Sequence, residues 1–149
     1  MNRIAQLLGT SLYSGYFPIA PGTVGSVGAL LCYLFIPFCN GLPLVFITVI
    51  FFFIGVWAAT EVEKTAGHDA SIINIDEVVG MWISLFFLPE DFKFWGWLAA
   101  FFLFRFFDIV KPFPIDQSQK LTAGWGVMMD DVLAGVYTFL VLQIANFII

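Results

Sequence analysis

Leu44-Val-Phe-Ile-Thr-Val-Ile-Phe-Phe-Phe-Ile-Gly-Val-Trp-Ala-Ala-Thr60 decides the fold class of this chain. A helix rises 1.5 Å per residue, so crossing a hydrocarbon core of about 30 Å takes about 20 apolar residues, with about 17 to 25 observed. This uncharged stretch meets that requirement by itself. The remainder of the 149 residues agrees with it: 60% are apolar, 11% are charged and nineteen are Phe. A soluble domain carries about 25% charged residues, because water must solvate its surface. With so few charges, much of the exterior is expected to face hydrocarbon, and the chain is expected to form one domain. The formal net charge of −5 and the dispersal of six Lys and Arg exclude a nucleic-acid binder.

Outward from that stretch, four further apolar runs are expected to be helical: Val24–Phe38, Val78–Leu88, Phe94–Val110 and Val132–Ile149. Asn40-Gly41-Leu42-Pro43 reads as a turn, and Pro89-Glu90-Asp91 as a break. The expected fold is therefore all-α, a polytopic membrane bundle of about five spans, the first and third of them short. Ile4, Leu7, Leu8 and Leu12 recur at helical spacing and predict a short N-terminal helix in the interface. The same segment does not read as a signal peptide, since Arg3 is its single positive charge and Gly9, Thr10, Ser11, Ser14 and Gly15 interrupt the apolar run. Five spans place the N-terminus, loop 61–77 and loop 111–131 on one side, with Arg3, Lys64, Lys111 and Lys120. Arg105 lies close to that side, and Lys93 alone falls on the other. The excess of basic residues predicts that the first side is cytoplasmic.

Polar residues concentrate in the two loops of that side, and so do the acids. Asp76-Glu77 precedes the third run, Asp108 ends the fourth, and Asp130-Asp131 precedes the fifth. Carboxylates near membrane depth are costly and repel one another; a divalent cation relieves both penalties, and oxygen-only ligands suit magnesium, manganese or calcium. The competing reading is that acids at helix N-termini are caps. It covers Asp76, Glu77, Asp130 and Asp131 singly, but not Asp108, at a helix C-terminal end where an anion is unfavourable. Lys111, three residues after Asp108, either snorkels to lipid head groups or meets a substrate phosphate. Gly22-Thr23-Val24-Gly25-Ser26 either forms a turn and N-cap or offers backbone N–H groups to a phosphate. His68, the single histidine, is either a polar loop residue or an aid to proton transfer. Cys32 and Cys39 have no His or Cys at metal-ligand spacing and read as small buried hydrophobes.

Four stretches together resemble the phosphatidylglycerophosphatase A family: Pro18-Ile-Ala-Pro-Gly-Thr-Val-Gly-Ser26, Ile75-Asp-Glu-Val-Val-Gly80, Phe104-Arg-Phe-Phe-Asp-Ile-Val-Lys-Pro-Phe-Pro-Ile115 and Gly124-Trp-Gly-Val-Met-Met-Asp-Asp-Val-Leu-Ala-Gly135. They occur in the family's order and reach nearly end to end. The resemblance implies a magnesium-dependent phosphatase of a bacterial cytoplasmic (inner) membrane, which converts phosphatidylglycerophosphate to phosphatidylglycerol with its site facing the cytoplasm. Asp76, Glu77, Asp108, Asp130 and Asp131 would hold the metal and, with Lys111, form the catalytic group. Gly22, Thr23, Gly25, Ser26, Arg105 and Lys111 would bind the substrate phosphate. Two other classes are less well matched. A CDP-alcohol phosphatidyltransferase would need Asp-Gly-x2-Ala-Arg…Gly-x3-Asp-x3-Asp, which is missing, and a cation transporter would carry its acids within the spans.

Overall fold

The computed structural model describes residues 2–36, 41–68, 70–88 and 92–148. Cys39, the first residue of the 40–43 turn, the Pro89–Asp91 break and the last residues of the 24–38 run lie outside them. Seven α-helices make up the described chain: α1 (Arg3–Gly9), α2 (Pro21–Phe35), α3 (Gly41–Ala66), α4 (Ile75–Ser84), α5 (Lys93–Val110), α6 (Ile115–Ser118) and α7 (Gly124–Ile148), with one 3-10 turn at Ser14–Tyr16. The all-α expectation holds.

The span count does not. Two helices are long and apolar enough to cross a membrane, α3 and α7. At 1.5 Å per residue they measure about 39 and about 37 Å. Helix α2, with 15 residues, reaches about 22 Å and stops short of a hydrocarbon core of about 30 Å. Helix α4, with ten, reaches about 15 Å. Helix α5 is long enough at 18 residues, but it carries Lys93, Arg105 and Asp108. The last two belong to an ion-pair network inside the protein. An apolar segment hidden in a protein core and one facing lipid have the same composition, so apolar runs alone overcount spans.

Helix α4 shows this most clearly. Eight of its ten residues are buried, among them Ile75, Val79, Met81, Trp82 and Ile83. After the two acids of its first turn the helix is apolar on all sides, as a core helix is, and α4 is enclosed by α2, α3, α5 and α7. Helix α3 has two faces instead. Leu44, Thr48, Gly55, Ala58, Ala59 and Val62 are buried, whereas Phe46, Val49, Ile50, Phe53 and Trp57 form an exposed stripe at helical spacing. Leu140, Val141, Ile144, Phe147 and Ile148 continue the exposed apolar surface on α7.

Small residues let these helices approach. A Cβ added to Gly80 would lie 2.6 Å from the Asp131 carbonyl oxygen, and one on Gly135 would collide with the Gly80 carbonyl. The two glycines thus face each other at the α4–α7 crossing, as small residues do where backbones meet closely. Helix α1 forms over Ile4, Leu7 and Leu8 but ends at Gly9, before Leu12, whose backbone is left-handed; it is capped by Asn2, whose Oδ1 accepts from the Ile4 N–H at 3.0 Å. Its buried residues are Ala5 and Gly9, and Gly9 packs against Ala58 and Val62 of α3. The N-terminal helix is therefore docked on α3.

Candidate active site

Three helices contribute to one acidic cluster. Asp76 and Glu77 occupy the first turn of α4, and Asp108 lies in the last turn of α5. Asp130 and Asp131 are buried within α7. That helix starts at Gly124, not Val132, so the Asp130-Asp131 pair lies about 10 Å into it rather than at its cap. Capping consequently explains neither residue. Asp108, Asp130 and Asp131 each present one carboxylate oxygen, and the three oxygens lie within 4.8 Å of one another. Asp131 feels the charge of the other four carboxylates, and Asp76 that of Glu77, Asp130 and Asp108.

Two cations partly balance the five acids. Arg105, one turn before Asp108 on α5, pairs with Glu77 and lies 3.0 Å from Asp108 Oδ2. Lys111 Nζ donates to Asp130 Oδ2 at 2.6 Å and stands 3.9 Å from Asp108 Oδ1. Lys111 caps α5 in the left-handed region, at φ 46°, which turns the chain back toward the cluster. Burial works against its charge, but the hydrogen bond to Asp130 and that carboxylate's charge outweigh it and hold the ammonium above its usual value.

The remaining partners divide the acids into two kinds. Glu77 accepts from Ser26 Oγ at 2.8 Å as well as from Arg105, and Asp130 accepts from Gln119 Nε2 at 3.0 Å as well as from Lys111. Asp76 Oδ1 and Asp131 Oδ2 are buried and have no hydrogen-bond partner among the described residues. Burial, followed by the charges of Glu77 and Asp130, pushes the Asp76 carboxyl well above the usual carboxylate range. A buried carboxylate without a partner is strongly disfavoured, so these two oxygens mark where a positive charge belongs.

The start of α2 closes one side of the cluster. Ala20 takes a left-handed conformation and Pro21 occupies the first helical position, where its missing N–H costs nothing. The first intrahelical bond is from Val24 N–H to the Ala20 carbonyl, which leaves the Gly22 and Thr23 N–H groups outside the helical ladder. A Cβ on Gly22 would collide with Glu77 Oε1, and one on Gly25 would come within 2.9 Å of the Asn74 carbonyl. The two glycines therefore let α2 approach the acids. Thr23 stays half-buried beside them.

The family model described as Phosphatidylglycerophosphatase A matches residues 7–146. A Haemophilus influenzae protein named phosphatidylglycerophosphatase A is 40% identical, covering 91% of this chain and 85% of the relative. Its Escherichia coli counterpart of the same name is 37% identical, covering 91% and 80%. The chain belongs to the phosphatidylglycerophosphatase A family. A Bacteroides thetaiotaomicron protein named "Putative phosphatidylinositol-3-phosphatase" is 43% identical, covering 96% of this chain and 94% of the relative. No solved structure matches the chain.

Of the residues expected in a phosphatidylglycerophosphatase A site, the five acids, Arg105 and Lys111 come together, and Gly22 and Gly25 border them. Ser26 is fully buried and its hydroxyl donates to Glu77. Two polar residues were not anticipated. Gln119 lies in a loop with no local pattern to mark it. Asn74 sits just before the Asp76-Glu77 pair, but its Nδ2 donates to Ser14 Oγ at 2.9 Å and to the Pro21 carbonyl at 3.3 Å, fastening the chain before α2 to α4. His68 has its Nδ1 2.7 Å from Glu63 Oε1 and, with Gln119 and Asp130, lines a small recess at the cluster's edge.

Proposed function

We propose that this phosphatidylglycerophosphatase A family member removes the terminal phosphomonoester of phosphatidylglycerophosphate, yielding phosphatidylglycerol and inorganic phosphate, and that it uses magnesium at a bacterial cytoplasmic membrane surface. The observation that carries the reading is the cluster of five carboxylates with two unpartnered buried oxygens, flanked by Arg105 and Lys111. Three negative charges remain unbalanced when all five acids are ionised. The donors are all oxygen, which suits a hard divalent cation. Asp76, Asp108, Asp130 and Asp131 would hold it, with Glu77 tied to Arg105 and Ser26 beside them. When bound, such an ion neutralises charge on phosphoryl oxygens and makes a water molecule more acidic.

The chain's own groups do the rest. Arg105 and Lys111 add positive charge where negative charge develops on the phosphoryl group, and the free N–H groups of Gly22 and Thr23 offer it hydrogen bonds. Water adds to phosphorus, the bond from phosphorus to the glycerol oxygen breaks, and that oxygen leaves as an alcohol after taking up a proton. The site lies toward the Ala66 end of α3 and the Gly124 end of α7, with the lipid-facing stripes of both helices beyond it. A lipid can therefore keep its tails in the bilayer while its phosphate reaches the acids. Lys64, Lys111, Lys120 and Arg105 gather at this end, which favours the cytoplasmic side.

The names of the relatives share one chemistry, loss of a phosphate from a phosphatidyl lipid, and differ in the head group. The deciding assay measures inorganic phosphate released by the purified protein in detergent micelles from phosphatidylglycerophosphate and, separately, from phosphatidylinositol 3-phosphate. Turnover of the first substrate is expected to be faster, to stop with EDTA and to return with magnesium. Faster turnover of the inositol lipid, or full activity in EDTA, would overturn the corresponding half of the proposal.

A further inference from the structure

Beside the acidic cluster, between α1, α2, α3 and α4, lies a cavity of about 510 Å³. Protein interiors are close-packed, and a space of this size falls in the range of built ligand sites. Helix α2 gives it one continuous wall, Gly25, Gly28 and Cys32, extended by its C-cap residue Ile36, a set at the spacing of a single helical face. From Gly25 to Ile36 this wall spans about 16 Å, roughly the depth of one leaflet of a bilayer whose core is about 30 Å thick.

The two ends of the cavity differ chemically. At the deep end Phe51 and Trp82 form the wall, and the indole N–H is already committed to the Ala29 carbonyl at 3.0 Å. At the other end, Gly25 abuts the Glu77 side chain, so the cavity begins where the acids are. Ser11 stands here too. Its Oγ is buried and has no hydrogen-bond partner among the described residues, and it is one turn from Ser14, which is hydrogen-bonded to Asn74. A buried hydroxyl without a partner is disfavoured, and at the mouth of an apolar channel it is matched by an ester carbonyl.

We propose that this cavity holds one acyl chain of the lipid phosphomonoester, with the Ser11 hydroxyl donating to an ester carbonyl at its mouth and Gly28 setting the room for the chain. The proposal rests on the lipid phosphatase reading. An acyl tail fits because the cavity is apolar, as deep as a leaflet, and bordered at Gly25 by the site where the phosphate would bind. Gly28 is the point of control: a Cβ there would meet nothing within 4 Å, so a larger side chain can enter the cavity without displacing the helices.

The test compares dioleoyl with dihexanoyl phosphatidylglycerophosphate for the wild type, Gly28→Leu and Ser11→Ala. Gly28→Leu is expected to lower the long-chain to short-chain ratio of kcat/KM about tenfold, the effect of excluding about two methylenes. Ser11→Ala should raise KM for both lipids about threefold to tenfold with kcat retained. An unchanged ratio in folded Gly28→Leu protein overturns the proposal. A second measurement needs no variant and no turnover: wild-type protein in EDTA is photolabelled with the same lipid carrying a diazirine at the acyl terminus. Adducts at residues 28–36 or Trp82, suppressed by excess unlabelled phosphatidylglycerophosphate but not by phosphatidylcholine, support it. Adducts that phosphatidylcholine suppresses equally identify bulk bilayer lipid and overturn it. Should the wild type release no phosphate even from the dihexanoyl lipid, the phosphatase reading fails, and the photolabelling alone decides whether the cavity is a lipid site.

Discussion

Ser26 Oγ lies 2.8 Å from Glu77 Oε2, joining the second turn of α2 to the first turn of α4 although fifty-one residues separate the two. Glu77 takes its second strong partner, Arg105, from α5. One carboxylate thus ties together three helices, and it does so at the edge of the acidic cluster rather than at its centre. Hydrogen bonds that hold the surroundings of a metal site in place cost about 10- to 100-fold in metal affinity or activity when lost, and in the proposed site Glu77 has that position.

Ser26→Ala is accordingly expected to lower kcat/KM about 10- to 100-fold and to shift the magnesium activation curve to higher concentration by a similar factor. Arg105 still holds Glu77, so the protein should remain folded. Phosphate release against magnesium concentration is the measurement. A curve identical to wild type would mean that Ser26 serves packing alone.

Asp131→Asn should abolish phosphate release and yet not weaken the metal-free fold. Its Oδ2 is buried without a partner and repelled by four other acids. Removing the charge therefore relieves a penalty on the order of 1–3 kcal/mol. In EDTA, the Tm of the variant in detergent is expected to equal or exceed that of the wild type, while magnesium raises the Tm of the wild type only. A variant that melts well below metal-free wild type would show Asp131 to be a structural residue.

Gly80→Ala tests how the cluster is assembled. The added Cβ would come within 2.6 Å of the Asp131 carbonyl and 2.5 Å of the Phe104 ring. Neither α7 backbone nor a fully buried ring yields easily, so α4 and α7 must separate. Overpacking of this kind costs about 1–3 kcal/mol, and a displacement of about 1 Å at a catalytic centre can cost about 100-fold in rate. Circular dichroism should show the helices intact while kcat falls. Retained turnover would mean that the α4–α7 spacing does not control the geometry of the acids.

By itself the sequence determined that the fold is all-α and which charged residues stand apart from its apolar background. Its shortage of charge and the seventeen uncharged residues of Leu44–Thr60 sufficed for an apolar helical protein, because transfer of apolar surface is a property of composition. The acids, Arg105 and Lys111 stood out because charges are rare against such a background. Only the tertiary structure decided which apolar runs are core. Val78–Leu88 and Leu44–Thr60 read alike, but α4 is enclosed on every side while α3 keeps one face outside, and burial against other helices is not encoded in a segment's own hydropathy. The structure also decided that Asp130 and Asp131 lie inside α7, because a run of helix-compatible residues from Gly124 joins the apolar stretch without any local break. The roles of Ser26, Gln119 and Asn74 came from the structure for the same reason. A hydrogen bond across fifty-one residues depends on where two helices cross, and at Gly80 and Gly135 that crossing is set by the absence of side chains.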